Sequence, residues 1–246
     1  MDVIDVHDYP EVYVEGEGRI VMGQKGWNGG DSAASQKARL LAVRTWWDPS
    51  YTPSGAGGSS WIGEPIYLLR RIQGYIREIL PELKLAVTEY NFGGNPTLNG
   101  ALTHALIFKA LMQEGAYAAA EWGPPGPKDP AFYAFKMFRN YDNKGGAFEG
   151  RFIPWESPSP ELDVFAALSN DTKTLRVAVV NSNSSKSQAV KLDLGPKTPA
   201  GKAKVFVLDK SAPTQIKEGR PLSPSGRTLS YTAPAYSLSL LELPLP

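Results

Sequence analysis

The sequence predicts an α/β unit built on parallel strands and, after it, an all-β antiparallel sandwich. Three observations carry this prediction. In residues 1–147 short apolar strands alternate with helical stretches, the pattern of a parallel sheet with crossover helices. In residues 148–246 apolar and polar residues alternate in short runs interrupted by Gly, Pro and Ser, the pattern of a sandwich. The stretch from Gly145-Gly146 to Pro160 separates the two.

Element by element, Val3-Ile4-Asp5-Val6-His7 reads as a buried strand, Leu83 to Tyr90 as a second and Ala116 to Trp122 as a third. Pro65 opens a helix whose Leu69, Ile72, Ile76, Ile79 and Leu80 form a stripe at helical spacing, with charges opposite. Asn99 to Gly115 is apolar on most sides, and Gly115 stands where a left-handed residue ends a helix. Ala33 to Val43 and Ala131 to Asn140 are the remaining helices. In the second half Leu175, Val177 and Val179 alternate with Arg176 and Ala178, and Val190, Leu192 and Leu194 with Lys191 and Asp193. Leu238, Leu240 and Leu243 continue the period of two.

Composition narrows the chemistry. The 246 residues carry 26 Lys+Arg, 25 Asp+Glu, two His and no Cys, for a net charge of +1. That balance offers no basic field for nucleic acid or an anionic membrane. Without cysteine there is no disulfide framework, thiolate zinc site or cysteine nucleophile. His7 and His104, far apart in sequence, argue against a histidine-rich metal centre. No stretch reaches the roughly 20 apolar residues of a spanning helix. The first residues lack the basic start and apolar run of a signal peptide, and opening directly on a strand makes the start abrupt. The sequons at Asn170 and Asn183 are of a kind common by chance and carry little weight. Catalysis must rest on carboxylates, hydroxyls or a lone histidine.

In parallel sheets the reactive groups lie at the carboxyl ends of strands. Those ends are Asp5-Val6-His7-Asp8-Tyr9, Thr88-Glu89-Tyr90-Asn91 and Glu121-Trp122-Gly123. A carboxylate, an imidazole and aromatic rings together suit sugar chemistry, since carboxylates handle the acetal while rings stack on sugar faces. Trp27, Trp46, Trp47 and Trp61 lie between the first two strands and strengthen that reading. Glu89 is the sharpest single candidate; its plainer reading is a strand-end carboxylate paired with a nearby Arg or Lys.

The runs KLAVTEYNFGG, ALIFKALMQEGAYAAAEW and AFKMFRNYDNKGGAF, together with DVIDVHDYPE and RTWWDPSY…SWI, resemble glycoside hydrolase family 44. The resemblance implies an endo-β-1,4-glucanase, in some relatives also acting on xylan or xyloglucan, with a (β/α)8 TIM-like barrel and an attached β-sandwich. It implies that residues 1–147 are the sixth to eighth strands of that barrel and 148–246 the β-sandwich domain. On the family's pattern Glu89 falls on the nucleophile of a retaining mechanism and Trp122 on the aromatic floor beneath the sugar. His7 and Tyr9 line the same subsite, and Trp61 and Trp47 are stacking platforms. Asp8 stands where relatives often carry an aromatic, pointing to a different local subsite. The resemblance further implies a β-glucan substrate, a secreted enzyme and no required cofactor, and leaves a structural calcium open.

A retaining glycosidase needs a second carboxyl group about 5–5.5 Å from the first. The family takes it from an Asn-Glu pair on an earlier strand, and this sequence contains no Asn-Glu dipeptide. Glu121 should face away from Trp122 by strand alternation, while Glu11, Glu15 and Glu17 sit on the loop after the first strand. The expectation is a truncated enzyme whose proton donor comes from a missing barrel half or a self-dimer. The alternatives are a non-catalytic glucan-binding fragment and a plain interaction protein. Three parallel strands also leave an apolar edge open to pairing.

Overall fold

The computed structural model describes residues 2–10, 12–20, 32–53, 62–155, 157, 159–195 and 199–246. They form two compact units, Met1–Gly126 and Pro127–Pro246.

The first unit is built on a three-stranded sheet of β1 (Val3–Asp8), β4 (Lys84–Tyr90) and β5 (Ala118–Glu121), in the order β1-β4-β5. Both pairings are parallel. A small antiparallel pair, β2 (Tyr13–Val14) and β3 (Gly18–Arg19), follows β1. Helix α1 (Ala33–Ala42) starts at Ser32, whose hydroxyl accepts from the Ser35 N–H at 3.1 Å, a side-chain cap for an otherwise unpaired donor. It runs into a 3-10 turn, Val43–Trp46.

Helix α2 (Leu68–Ile79) begins three residues after Pro65, behind Tyr67, which has a φ of 33°. Its Leu69 and Ile76 are buried, as the stripe requires, whereas Ile79 and Leu80 remain exposed. Helix α3 (Leu98–Gln113) is capped by the Thr97 hydroxyl and ends at Gly115, whose φ of 66° is the left-handed value expected there. Side chains from α1, α2, α3 and the outer face of β4 make one apolar core around Trp46, Leu85, Val87, Tyr90 and Phe92.

The strands of the second unit are β6 (Arg151–Pro154), β7 (Leu162–Leu168), β8 (Thr174–Asn181), β9 (Gln188–Asp193), β10 (Lys204–Asp209), β11 (Ala212–Glu218), β12 (Thr228–Ala233) and β13 (Ser237–Pro244). They form a six-stranded sheet in the order β11-β10-β13-β8-β7-β6 and a two-stranded sheet, β12-β9. All pairings among them are antiparallel. Val177, Leu192, Leu229 and Leu241 meet in a core shared by both sheets, which is why the apolar residues recur at every second position.

Helix α4 (Pro130–Arg139) belongs to this unit, so the division falls at Gly126/Pro127, earlier than the 147/148 join expected from the sequence. The reason is packing. Phe138 stacks on Phe165 at 6.0 Å, Phe148 lies edge-on to Phe165 at 5.6 Å, and Tyr141 meets Phe206 at 4.7 Å. The Tyr141 hydroxyl donates to Glu242, which also accepts from Lys204 at 3.0 Å. Helical periodicity placed α4 among the crossover helices, but its aromatic face binds the antiparallel sheet.

Two chain segments in the first unit touch without room for a side chain. A Cβ on Gly100 would lie 2.2 Å from the Gly94 carbonyl oxygen. Gly100→Ala therefore forces the 94–97 loop away from α3. The expected cost is about 1–3 kcal/mol, read as an earlier urea midpoint by tryptophan fluorescence; an unchanged midpoint would show that the contact is not constraining.

Candidate active site

The site begins with an irregularity in β4. Val6 pairs with Val87 but the next residue, His7, pairs with Glu89, so Thr88 is an extra residue on β4. The β4–β5 pairing skips in the same place, between Val87 and Tyr90. Such a bulge reverses which side of the sheet later residues face. Leu85 and Val87 lie in the helical core before it, and Tyr90 and Phe92 after it. Thr88 and Glu89 are thereby both turned to the open face.

On that face Glu89 meets residues of β1. The Tyr9 hydroxyl donates to Glu89 Oε2 at 2.9 Å. His7 Nδ1 lies 3.3 Å from the same oxygen, and its Nε2 is 3.9 Å from Asp5 Oδ2. Asp5 Oδ2 in turn accepts from the Thr88 hydroxyl at 2.7 Å. Partial desolvation and the Glu89 carboxylate push the Tyr9 hydroxyl up to about 12, so it remains a donor at neutral pH. Among the described residues Glu89 Oε1 has no hydrogen-bonding partner, which leaves one carboxylate oxygen for chemistry.

β5 supplies the next side chains. Glu121 turns into the helical layer, where Oε1 accepts from Asn95 at 2.8 Å and lies 3.1 Å from His104 Nε2. Trp122 follows on the other side and is 56% exposed. The Trp122 N–H bonds the Tyr90 carbonyl at 2.9 Å, carrying the β4–β5 ladder one residue past the strand.

The structure thus brings His7, Tyr9 and Glu89 into contact and sets Trp122 at the end of the adjoining strand. Trp47 does not join them. It packs on the helical layer, with the Arg70 guanidinium 6.0 Å and the Lys109 ammonium 5.9 Å from its ring. Its neighbour Trp46 is fully buried. Trp61, like Trp27 and Glu11, lies outside the described residues. Glu17 accepts from the Ser35 hydroxyl at 2.7 Å beside the start of α1. Asp8 faces the helical side, not the subsite expected from its position, and accepts from the Trp46 indole at 2.6 Å. No group of three or more His, Asp or Glu among the described residues is placed to hold a metal ion.

Sequence reasoning missed the supports of the loop after Glu89. Arg39, fully buried, donates to the Phe92 carbonyl at 3.0 Å, to Asn99 Oδ1 at 2.5 Å and to the Ile20 carbonyl at 3.3 Å. Asn91 accepts from the Gly93 N–H at 2.6 Å and donates to the Trp122 carbonyl at 2.6 Å. The run Asn91-Phe92-Gly93-Gly94-Asn95 carried the only signal, since Asn and Gly next to a strand end favour side-chain-stabilised turns.

Comparison with known proteins follows the same chain segments. No family model matches. Endoglucanase A of Paenibacillus lautus is 33% identical over 185 residues, covering 74% of this chain and 25% of that protein. The β-mannanase/endoglucanase A of Caldicellulosiruptor saccharolyticus is 28% identical over 233 residues, 89% of this chain and 17% of that protein. Among solved structures, a bifunctional glucanase-xylanase from a metagenome library superposes with a TM-score of 0.87 at 32% identity, covering 100% of this chain and 44% of that one. A Paenibacillus polymyxa xyloglucanase of glycoside hydrolase family 44 gives 0.85 at 30% identity, covering 100% and 47%. The chain therefore spans a quarter or less of the curated relatives and under half of these solved chains.

Burial raises the Asp8 carboxyl to about 6, with the Trp46 hydrogen bond pulling the other way. A carboxyl raised on folding holds its proton in the folded state at pH values where the unfolded chain has lost it. Its contribution is therefore complete only below the ordinary carboxyl value of 3.8 and is lost as the pH rises from there through about 6. Asp8→Asn keeps an acceptor for the indole and removes the titration. Relative to the variant, the wild type should lose about 2 kcal/mol of stability between pH 4 and pH 7, measured by urea denaturation at both. Parallel pH profiles would contradict this account.

Proposed function

We propose that this chain, which belongs to glycoside hydrolase family 44 and matches the C-terminal part of its members, carries the nucleophile side of a retaining endo-β-1,4-glucanase site. The observation that supports this most is the Glu89 carboxylate, with one oxygen held by Tyr9 and His7 and the other open. Its parallel sheet is part of a TIM-like barrel, and Trp122 is the floor on which the sugar ring stacks. The substrate is a β-1,4-linked glucan, with xylan and xyloglucan as further candidates.

In this reading Glu89 Oε1 attacks the anomeric carbon as the glycosidic C–O bond breaks and a general acid protonates the departing oxygen. A glycosyl ester on Glu89 results. Water, deprotonated by the same acid/base, then attacks the anomeric carbon and releases Glu89 as a carboxylate. Tyr9 and His7 hold Oε2, so the free oxygen keeps its aim through both steps. Tyr9 stabilises the carboxylate both before attack and as it is released. The acid/base is a carboxyl group other than Glu121, which is committed to Asn95 and His104. The reaction needs no metal.

An aryl 2-deoxy-2-fluoro-β-cellobioside with a good leaving group tests the nucleophile without demanding a proton donor. The expected result is a single glycosyl adduct on the peptide containing Glu89, absent in Glu89→Gln. Binding of cello-oligosaccharide without any adduct would replace this reading with that of a non-catalytic glucan binder.

Tyr9→Phe removes one hydrogen bond to the carboxylate that leaves the glycosyl ester, about 1.5–3 kcal/mol when fully charged. Release of the preformed adduct by azide should accordingly be up to about 10- to 100-fold slower, with the protein still folded by circular dichroism. An unchanged release rate would take Tyr9 out of the site.

A further inference from the structure

Trp122 has an exposed ring and a tightly held backbone. The residue is 56% exposed, so packing does little to fix its ring. Its main chain, in contrast, is bonded on both sides by the segment that follows Glu89. The Trp122 N–H donates to the Tyr90 carbonyl at 2.9 Å, and its carbonyl accepts from Asn91 at 2.6 Å. The next carbonyl, on Gly123, accepts from Asn95 at 3.3 Å, and Gly123 adopts a φ of 73° that other residues rarely reach. Asn95 also donates to the Glu121 carboxylate at 2.8 Å.

The inner end of this arrangement is a buried pair. The side chains of His104 and Glu121 are 0% and 2% exposed and lie 3.1 Å apart. The Gly100 carbonyl, 2.8 Å from His104 Nδ1, can only accept, so Nδ1 carries a proton. Nε2 and Glu121 Oε1 would then face each other as two acceptors unless a second proton lies between them. With that proton on His104 the two are a buried ion pair 3.1 Å apart. The contact sets Glu121 against α3, and Asn95 passes the constraint to Gly123.

We infer that Asn91 and Asn95, anchored through the His104–Glu121 pair, are positioning residues that hold Trp122 in register with Glu89. The inference deepens the proposed sugar site and rests on it for the role of Trp122. Neither asparagine faces the open side; both act through the Trp122 main chain. Holding an exposed platform by its backbone lowers the ordering cost of binding without burying the ring that the ligand must reach.

The test is a double-mutant cycle with cellohexaose as the probe, read by calorimetry, together with the indole N–H resonances of the unliganded protein. Asn95→Ala should weaken cellohexaose binding about three- to tenfold in the wild-type background, and by less than twofold when Trp122→Ala is already present. In the free protein the Trp122 indole resonance, identified by its loss in Trp122→Phe, should shift or broaden in Asn95→Ala. The Trp46 indole, held by Asp8, should stay in place. Equal losses in both backgrounds, or an unmoved Trp122 resonance, would overturn the inference. Should Asn95→Ala fail to fold, Asn95→Gln keeps the amide but displaces it by one methylene, and is read in the same way. If cellohexaose does not bind the wild type, or if Trp122→Ala leaves its affinity unchanged, the sugar-site reading falls. The resonance still decides whether Asn95 positions the indole.

Discussion

The one extra residue at Thr88 is the constraint on which the rest of the first unit depends. A regular strand through Leu85 and Val87 would send Glu89 to the same side, into an apolar core, where an ionised carboxylate is costly unless paired. The bulge reverses the alternation once. The apolar side resumes at Tyr90 and Phe92, and the open face receives Thr88 and Glu89 as consecutive polar groups. Bulges are rarer in parallel than in antiparallel pairs, and here one strand is bulged against both neighbours. An open-face carboxylate at Glu89 and a continuous core are compatible because of it.

Several buried contacts then stabilise the reversed strand. Trp46 meets Tyr90 edge-on at 5.6 Å and Phe92 at 5.1 Å, filling the space directly behind the site. Its indole N–H needs a partner once buried, and Asp8 provides it from β1 at the expense of its own solvation. Arg39 is the other support. Its guanidinium satisfies carbonyls of Phe92 and Ile20 and the side chain of Asn99, tying the loop after β4 to the start of α3. Glu89 is thus mounted on a strand end whose next residues are fixed from below, the condition under which a carboxylate keeps its aim.

The elements were legible in the sequence where periodicity is strong. All three parallel strands could be read from their short apolar runs, but only β4 is buried as expected; β1 and β5 are largely exposed, and the stripe of α2 is buried at Leu69 and Ile76. α4 shows the limit: its apolar face is plain, but periodicity does not say which sheet the face will meet. In the site, Glu89, His7, Tyr9 and Trp122 were legible as strand ends. The helical-layer packing of Trp47 could not be read, because a tryptophan in a polar loop looks the same whether it faces a ligand or the back of a helix. Arg39 gave no signal, and the partners of Asp8, Asn95 and His104 could not be read, since each lies distant in sequence. The bulge was equally silent, because Thr-Glu-Tyr differs in no local way from a regular strand.

β4 and β5 differ in this one respect, and the difference bears on the proposed chemistry. β5 reaches Glu121 without an added residue, so its carboxylate stays on the helical side, where Asn95 and His104 take it up. The aromatic ring that follows is the group that reaches the open face. Two carboxylates on adjacent strands, near enough by the strand spacing of about 4.8 Å, are thereby kept on opposite sides of one sheet. An extra residue in β5 would exchange the places of Glu121 and Trp122, leaving buried His104 without the carboxylate that now lies 3.1 Å from its Nε2. On the proposed reading, with Trp122 as the floor, a proton donor for the sugar has to face β4 across the open side rather than stand beside it.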